Sequence, residues 1–235
     1  MSHPDYCFKS LTHTPRGNVQ SATLVTLCSA HTLAHTHLHH SERVILARRK
    51  QPKAKAEYLT SRWCIKQLIK QAHPELIDIP MARFNTVFNE VSKSLDVYVD
   101  EQLLDVNVVI SHSHGHVAVA LVMGKNTLLG LDIEKIDAKR PFMKLAAHYY
   151  PDDEVHVIGD NVENFFRVWT LKEAYAKAAK QNISTLLSQA ILPLIAQLDG
   201  HIYTTQWQAF DVSLITAVQD VAIIDLAPAV AGESL

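Results

Sequence analysis

The chain has 235 residues, of which 48% are apolar, 20% charged and 7% aromatic, with seven glycines and nine prolines. That composition fits a soluble globular protein and excludes collagen-like, low-complexity and disulfide-scaffold classes. A formal charge of −2, from 22 basic and 24 acidic residues, gives no general attraction to nucleic acid or to a membrane surface. Cys7, Cys28 and Cys64 are widely spaced, lie outside any CxxC pattern and read as free thiols. No basic segment followed by an apolar one opens the chain, and the longest apolar run, Val117 to Met123, is too short to span a bilayer. A cytoplasmic location is expected.

In chain order, Ser21 to Leu33 reads as a strand leading into the histidine-rich stretch His31 to His40, whose bland reading is a solvated loop or helix end and whose sharper one is a metal site. Arg43 to Lys70 reads as two helical pieces broken at Gln51-Pro52, the second carrying Tyr58, Leu59, Trp63, Ile65 and Leu68 at helical spacing and stopped by Pro74. The β-branched runs Val106 to Ile110 and His116 to Met123 meet at Ser113-His114-Gly115 and predict a hairpin. After a turn at Gly124-Lys125-Asn126, Leu128 to Glu134 is a third strand. Pro141 to His148 and the stretch from Pro151 read as helices, and Asn161 to Lys180 is the clearest helix. Beyond Pro193 the pattern returns to strands at His201 to Trp207 and Val212 to Val218, with Val221 to Ile224 as a further candidate. No linker marks a boundary, but two α/β halves, 1–123 and 124–235, fit the order of elements.

Three constellations carry chemistry. On the strand Gly130-Leu131-Asp132-Ile133-Glu134, alternation puts Leu131 and Ile133 on one face and Asp132 and Glu134 on the other, their Cα atoms roughly 6.5 Å apart. Solvated acids at a strand end would explain the pair; so would a cation held between them. On the long helix, with Phe166 at zero and steps of about 100°, Trp169 falls near 300°, Glu173 near 340° and Lys177 near 20°. Glu173 therefore lies inside the apolar stripe, where a carboxylate is costly unless something positive meets it. Oxygen-only ligation by these three acids favours Mg²⁺. Third, Ser111-His112-Ser113-His114-Gly115-His116 is open to three readings: a polar hairpin tip, a phosphate contact through Ser111 and His112, or a zinc site.

Gly130-Leu131-Asp132-Ile133-Glu134, followed 41 residues after Asp132 by the Glu173 of Trp169-Thr170-Leu171-Lys172-Glu173-Ala174-Tyr175-Ala176-Lys177, resembles the signature of 4′-phosphopantetheinyl transferases of the surfactin-synthetase-activating type. Ser111-His112-Ser113 and the basic stretch Arg48-Arg49 to Tyr58-Leu59 and Ser61-Arg62 match the family's pattern too, so the likeness spans roughly residues 41–180. Three departures stand out. Ser92-Lys93-Ser94 is the nearest counterpart of a Gly-Lys-Pro turn, Ser61 replaces a glycine, and the first forty residues match nothing in the pattern.

The resemblance implies an α+β fold of two similar halves related by a pseudo-twofold axis, with the active site at their interface. It implies transfer of phosphopantetheine from coenzyme A to a serine of an apo acyl or peptidyl carrier protein, releasing adenosine 3′,5′-bisphosphate. Asp132, Glu134 and Glu173 would bind Mg²⁺ and Lys177 would neutralise the leaving phosphate. Ser111, His112, Arg43 and Lys93 would contact coenzyme A. Glu154 would be the general base or merely a helix N-terminal acid, and Lys172 a phosphate contact or support. A monomer is expected, with no nucleic-acid or membrane partner. A Mg²⁺-dependent phosphohydrolase of coenzyme A or a nucleotide is the alternative that uses the same acids, and a non-catalytic metal-binding protein built on the histidines is a third.

Overall fold

The computed structural model describes residues 9–11 and 21–226, a mixed α+β chain that forms two compact units. One unit comprises residues 9–11 and Leu128–Ala217, and the other residues 21–127 and 218–226. The chain passes from one to the other between Thr127 and Leu128, a few residues beyond the turn at Gly124.

The unit of 21–127 is built on β2 (Thr23–Ser29), β6 (Val106–Ser113) and β7 (His116–Met123), after β1 (Lys9–Ser10) of the other unit. Its four-stranded sheet has the order β11-β2-β7-β6, with β11 (Val221–Ile223) added in parallel to β2. The other two pairings are antiparallel, and the β6–β7 register sets Val106 opposite Met123 and Ser113 opposite His116. The helical stretch divides at Gln51-Pro52 as its sequence predicts, into α1 (His40–Arg48) and α2 (Pro52–Ala72) with Pro52 in the first turn. Cys64, Ile65, Leu68 and Ile69 of α2 pack with Leu24, Val117, Val119 and Leu121 in one core. Cys28 and Cys64 are free thiols whose Sγ atoms lie 3.4 Å apart in that core; Cys7 lies outside the described residues.

A three-stranded sheet, β3 (Phe84–Asn89), β4 (Ser94–Val99) and β5 (Gln102–Leu103), is absent from the sequence reading. The histidine stretch also differs from a solvated loop at one point. His37 is buried, its two ring nitrogens 2.8 and 3.1 Å from the carbonyl oxygens of Ala34 and Leu59. Next to it, Lys66 and Glu42, both fully buried, pair at 2.5 Å, and Glu42 also accepts from the backbone and hydroxyl of Thr86. That network satisfies a charge pair which would otherwise be costly to bury.

The unit of Leu128–Ala217 also has a four-stranded sheet with one parallel outer strand. Its sheet runs β1-β9-β10-β8, with β8 (Leu129–Lys135), β9 (His201–Trp207) and β10 (Phe210–Thr216) antiparallel in turn and β1 parallel to β9. The helices are α3 (Phe142–Tyr149), α4 (Asp152–Ile158), α5 (Val162–Ala178), α6 (Ile183–Leu186) and α7 (Ile191–Ile195). Asn161 caps α5 by accepting from the backbone of Glu163 and Asn164, which fixes where the long helix starts. Its residues Leu171, Ala174, Tyr175 and Ala178 pack with Ile215 of β10 and with Leu186, Ile191 and Ile195. Among the described residues, no helix is long and apolar enough to cross a membrane.

Candidate functional site

In the unit of Leu128–Ala217 the chemistry gathers where β8 and β10 meet α5. The decisive position is Gly130. A Cβ built there would lie 2.0 Å from the carbonyl oxygen of Ala174, so only glycine lets the strand approach the helix this closely. That direction also settles which face of β8 looks at α5. Asp132 and Glu134, two and four residues on, share it by alternation, and Leu131 and Ile133 lie on the opposite face. Across the ladder Asp132 stands opposite Ser213 and Glu134 opposite Asp211.

The helix supplies the complementary groups. Lys177 Nζ donates to Asp132 Oδ1 at 2.8 Å and to the carbonyl of Leu131 at 2.9 Å, with its side chain still 28% exposed. Glu173, one helical turn earlier, is half-buried. Its carboxyl is held above the usual carboxylate range by burial first, then by the charge of Asp132 and, less, of Glu134, while Lys177 opposes the shift. Glu173 therefore feels both strand acids.

Two further contacts in this seam escaped the sequence reading. Arg167 holds Asp211 through Nε at 2.9 and 3.1 Å and Nη2 at 2.8 Å. Thr170 donates to Asp211 at 2.7 Å and lies 2.7 Å from the Ser213 hydroxyl. Burial nonetheless raises Asp211, with Arg167 and Thr170 pulling it down. The signal available was Arg167 and Thr170 at i, i+3 on the helix opposite alternate polar residues Asp211 and Ser213 in an apolar strand.

Among the described residues, no group of three or more His, Cys, Asp or Glu side chains is already arranged around a metal position. The three acids nonetheless suit a hard cation in donor type, being oxygen ligands only, and in charge, because Glu173 is repelled by its neighbours.

Glu154 departs from the general-base expectation. It lies in the first turn of α4 but is fully buried, its Oε1 accepting from the backbone of Ile191 at 2.6 Å and its Oε2 paired with Lys172 at 2.7 Å. Lys172 is equally buried and also donates to the carbonyl oxygens of Leu186, Leu187 and Gln189, so it reaches no phosphate. Burial raises the acid and lowers the amine, and their mutual charge opposes both shifts. In this arrangement the carboxylate is closed to solvent and paired with an ammonium, so no lone pair of Glu154 faces solvent. This pair ties α4, α5 and the loop before α7 together.

In the unit of 21–127, β6 carries Ser111 buried and His112 on the alternate, exposed face, where His112 Nδ1 lies 3.4 Å from the Oε2 of Glu57. The three histidines do not share a face. His114 takes a left-handed φ of 49° at the turn, with its Nδ1 2.9 Å from the Ser113 hydroxyl, and His116 Nδ1 lies 3.3 Å from the His114 carbonyl. That local bonding fits a hairpin tip better than a zinc site. Arg43 and Lys93 are each engaged close to home. Arg43 is exposed on α1 and donates to Leu38, and Lys93 sits at the β3–β4 tip with φ 51° and its Nζ 3.3 Å from Glu90. The guanidinium carbons of Arg49, at the end of α1, and of Arg62 on α2 lie 4.6 and 4.3 Å from the Tyr58 ring centroid. The Nε atoms of both arginines are buried, and the Tyr58 hydroxyl lies within reach of Arg62.

Residues 128–224 match the family model of the 4′-phosphopantetheinyl transferase superfamily. The matched domain contains Asp132, Glu134, Glu154, Glu173 and Lys177, and stops short of Arg43, Lys93, Ser111 and His112. It supports phosphopantetheine transfer, in general terms, as the activity. No curated protein matches the chain.

Proposed function

We propose that the chain transfers 4′-phosphopantetheine from coenzyme A to a serine of an apo acyl or peptidyl carrier protein, releasing adenosine 3′,5′-bisphosphate, as a transferase of the surfactin-synthetase-activating type. The observation that carries this reading is the seam of Asp132, Glu134, Glu173 and Lys177, made by the Gly130 contact and lying inside the matched domain.

In this reading Asp132, Glu134 and Glu173 hold Mg²⁺, which when bound offsets charge on the pyrophosphate oxygens of coenzyme A. Lys177 sits beside the acids with part of its side chain in solvent, placed to trade its contact with the Leu131 carbonyl for a leaving phosphate oxygen. Ser111 and His112 hold a coenzyme A phosphate, with Arg43 and Lys93 as further nucleotide contacts. Glu154 and Lys172 support the fold of the site and take no part in proton transfer. The protein acts as a cytoplasmic monomer.

The test is incubation of the full chain with coenzyme A, Mg²⁺ and a panel of apo-carrier proteins, read by intact mass. A carrier gaining the phosphopantetheine arm is the expected result. Turnover of coenzyme A with no carrier present would favour the phosphohydrolase instead.

A further inference from the structure

Glu57 has no part in the function argued above, yet its carboxylate is held by the same hairpin that bears His112. It projects from α2 with its side chain only 9% exposed. One oxygen, Oε1, accepts from the backbone of Gly115 at 2.9 Å, and the other, Oε2, lies 3.4 Å from His112 Nδ1. Lys53, a turn earlier and 54% exposed, is 4.0 Å from Oε1. Gly115 takes a φ of 79°, so the backbone group that Glu57 binds belongs to the left-handed turn that shapes the tip.

A carboxylate so little exposed to water needs partners, and here it has a turn amide on one oxygen and an imidazole beside the other. The consequence for His112 is directional. A ring whose Nδ1 faces a carboxylate carries its proton there, which leaves Nε2 as the nitrogen free to meet a ligand. The ring is 54% exposed, so a ligand can reach it. A phosphate oxygen accepts hydrogen bonds only, so Nε2 must carry an N–H when it meets one, while Nδ1 keeps its own towards Glu57. The carboxylate behind Nδ1 offsets the charge of that second proton.

We propose that Glu57 is a positioning residue for His112: its buried carboxylate fixes the β6–β7 tip through Gly115 and orients the imidazole so that Nε2 faces an incoming phosphate. The phosphate belongs to coenzyme A, a part of the proposal that rests on the transferase reading above.

The experiment uses the full-length protein as Glu57→Gln, His112→Ala and the double variant. Steady-state kinetics with coenzyme A, Mg²⁺ and an accepting carrier are paired with long-range ¹H–¹⁵N spectra of the histidine rings in the free protein near pH 8. Glutamine keeps an oxygen for Gly115 and puts an uncharged NH2 donor where the second carboxylate oxygen faced His112. Glu57→Gln should raise the KM for coenzyme A about fivefold with kcat within about twofold, and should add nothing in the His112→Ala background. The His112 ring should change from the Nδ1–H tautomer towards Nε2–H while the Gly115 amide signal stays in place. An equal KM rise in the His112→Ala background, or an unchanged His112 tautomer, overturns the proposal. If the wild-type protein modifies no carrier, the transferase reading fails by itself and the ring spectra still decide whether Glu57 orients His112.

Discussion

In the unit of Leu128–Ala217, Asp132 is 4% exposed and meets Lys177 across a strand–helix contact that a single methyl group would block. In the unit of 21–127, His112 stands on a hairpin with its ring 54% exposed and a buried carboxylate behind it. Both regions set an acid against a base, but they do so under different physical constraints. In the seam, like charges are forced together by packing, so geometry is bound up with the core and the repulsion is carried by Glu173. On the hairpin, the charged group is held from one side only and the other side stays open. The first arrangement suits a reacting centre, where charge must be fixed in place. The second suits an anchor that grips a remote part of a ligand.

The sharpest way to break this contrast is Asp132→Ala. Activity should fall by about 10³-fold or more, with the fold retained, because removing one of several crowded acids relieves repulsion. Intact-mass assays of a carrier and circular dichroism together check it, and full activity would remove the seam from the chemistry. Gly130→Ala comes next. Its Cβ cannot fit against the Ala174 carbonyl, and urea denaturation should show a loss of about 3 kcal/mol. Lys177→Ala should lower kcat by about 10- to 100-fold while Lys139→Ala, at an exposed position outside the seam, leaves it unchanged. Equal losses at the two positions would argue against a leaving-group role.

The hairpin should respond more mildly and in a different parameter. His112→Ala should raise the KM for coenzyme A about fivefold with little change in kcat, whereas His114→Ala should alter neither beyond about twofold. The smallest expected effect is on stability. Because the native Glu173 carboxyl is raised, the folded protein binds more protons than the unfolded one between the usual carboxylate range and that raised value. Stability of the metal-free protein should therefore fall as pH rises through this window, and the favourable contribution is complete only below it. Glu173→Gln should flatten that slope and raise Tm at neutral pH by a few degrees in chelator, seen by thermal unfolding. An unchanged slope would mean that the acids of the seam do not repel.

Much of the seam was legible in the sequence because two simple periodicities describe it. Strand alternation put Asp132 and Glu134 on one face, and the 100° step brought Glu173 inside an apolar stripe and Lys177 to its edge. What the periodicities lack is the number of sides on which an element is covered. Lys172 and Glu154 look like ordinary charged positions on a wheel, yet both are enclosed because α5 is packed against β10, α4 and the segment leading to α7. The β3-β4-β5 sheet was illegible for another reason. Its inward and outward positions do not alternate cleanly, and its turns use Lys93, Asp100 and Glu101 in left-handed conformations without a glycine to announce them. The Glu57–Gly115 bond joins residues 58 apart, which no local pattern reports.

The parallel edge strands bear on how this protein is made. Strand β11 pairs Val221 with Thr23, and β1 pairs Lys9 with Tyr203, so each four-stranded sheet takes an outer strand from the far end of the chain. During synthesis the sheet of the 21–127 unit must wait, with the outer edge of β2 open, until residue 223 has left the ribosome. Such closure over a long stretch of chain slows folding and leaves an aggregation-prone edge in the nascent protein. Severing the chain between Thr127 and Leu128 would therefore not release two self-sufficient domains, but two sheets each missing its last strand.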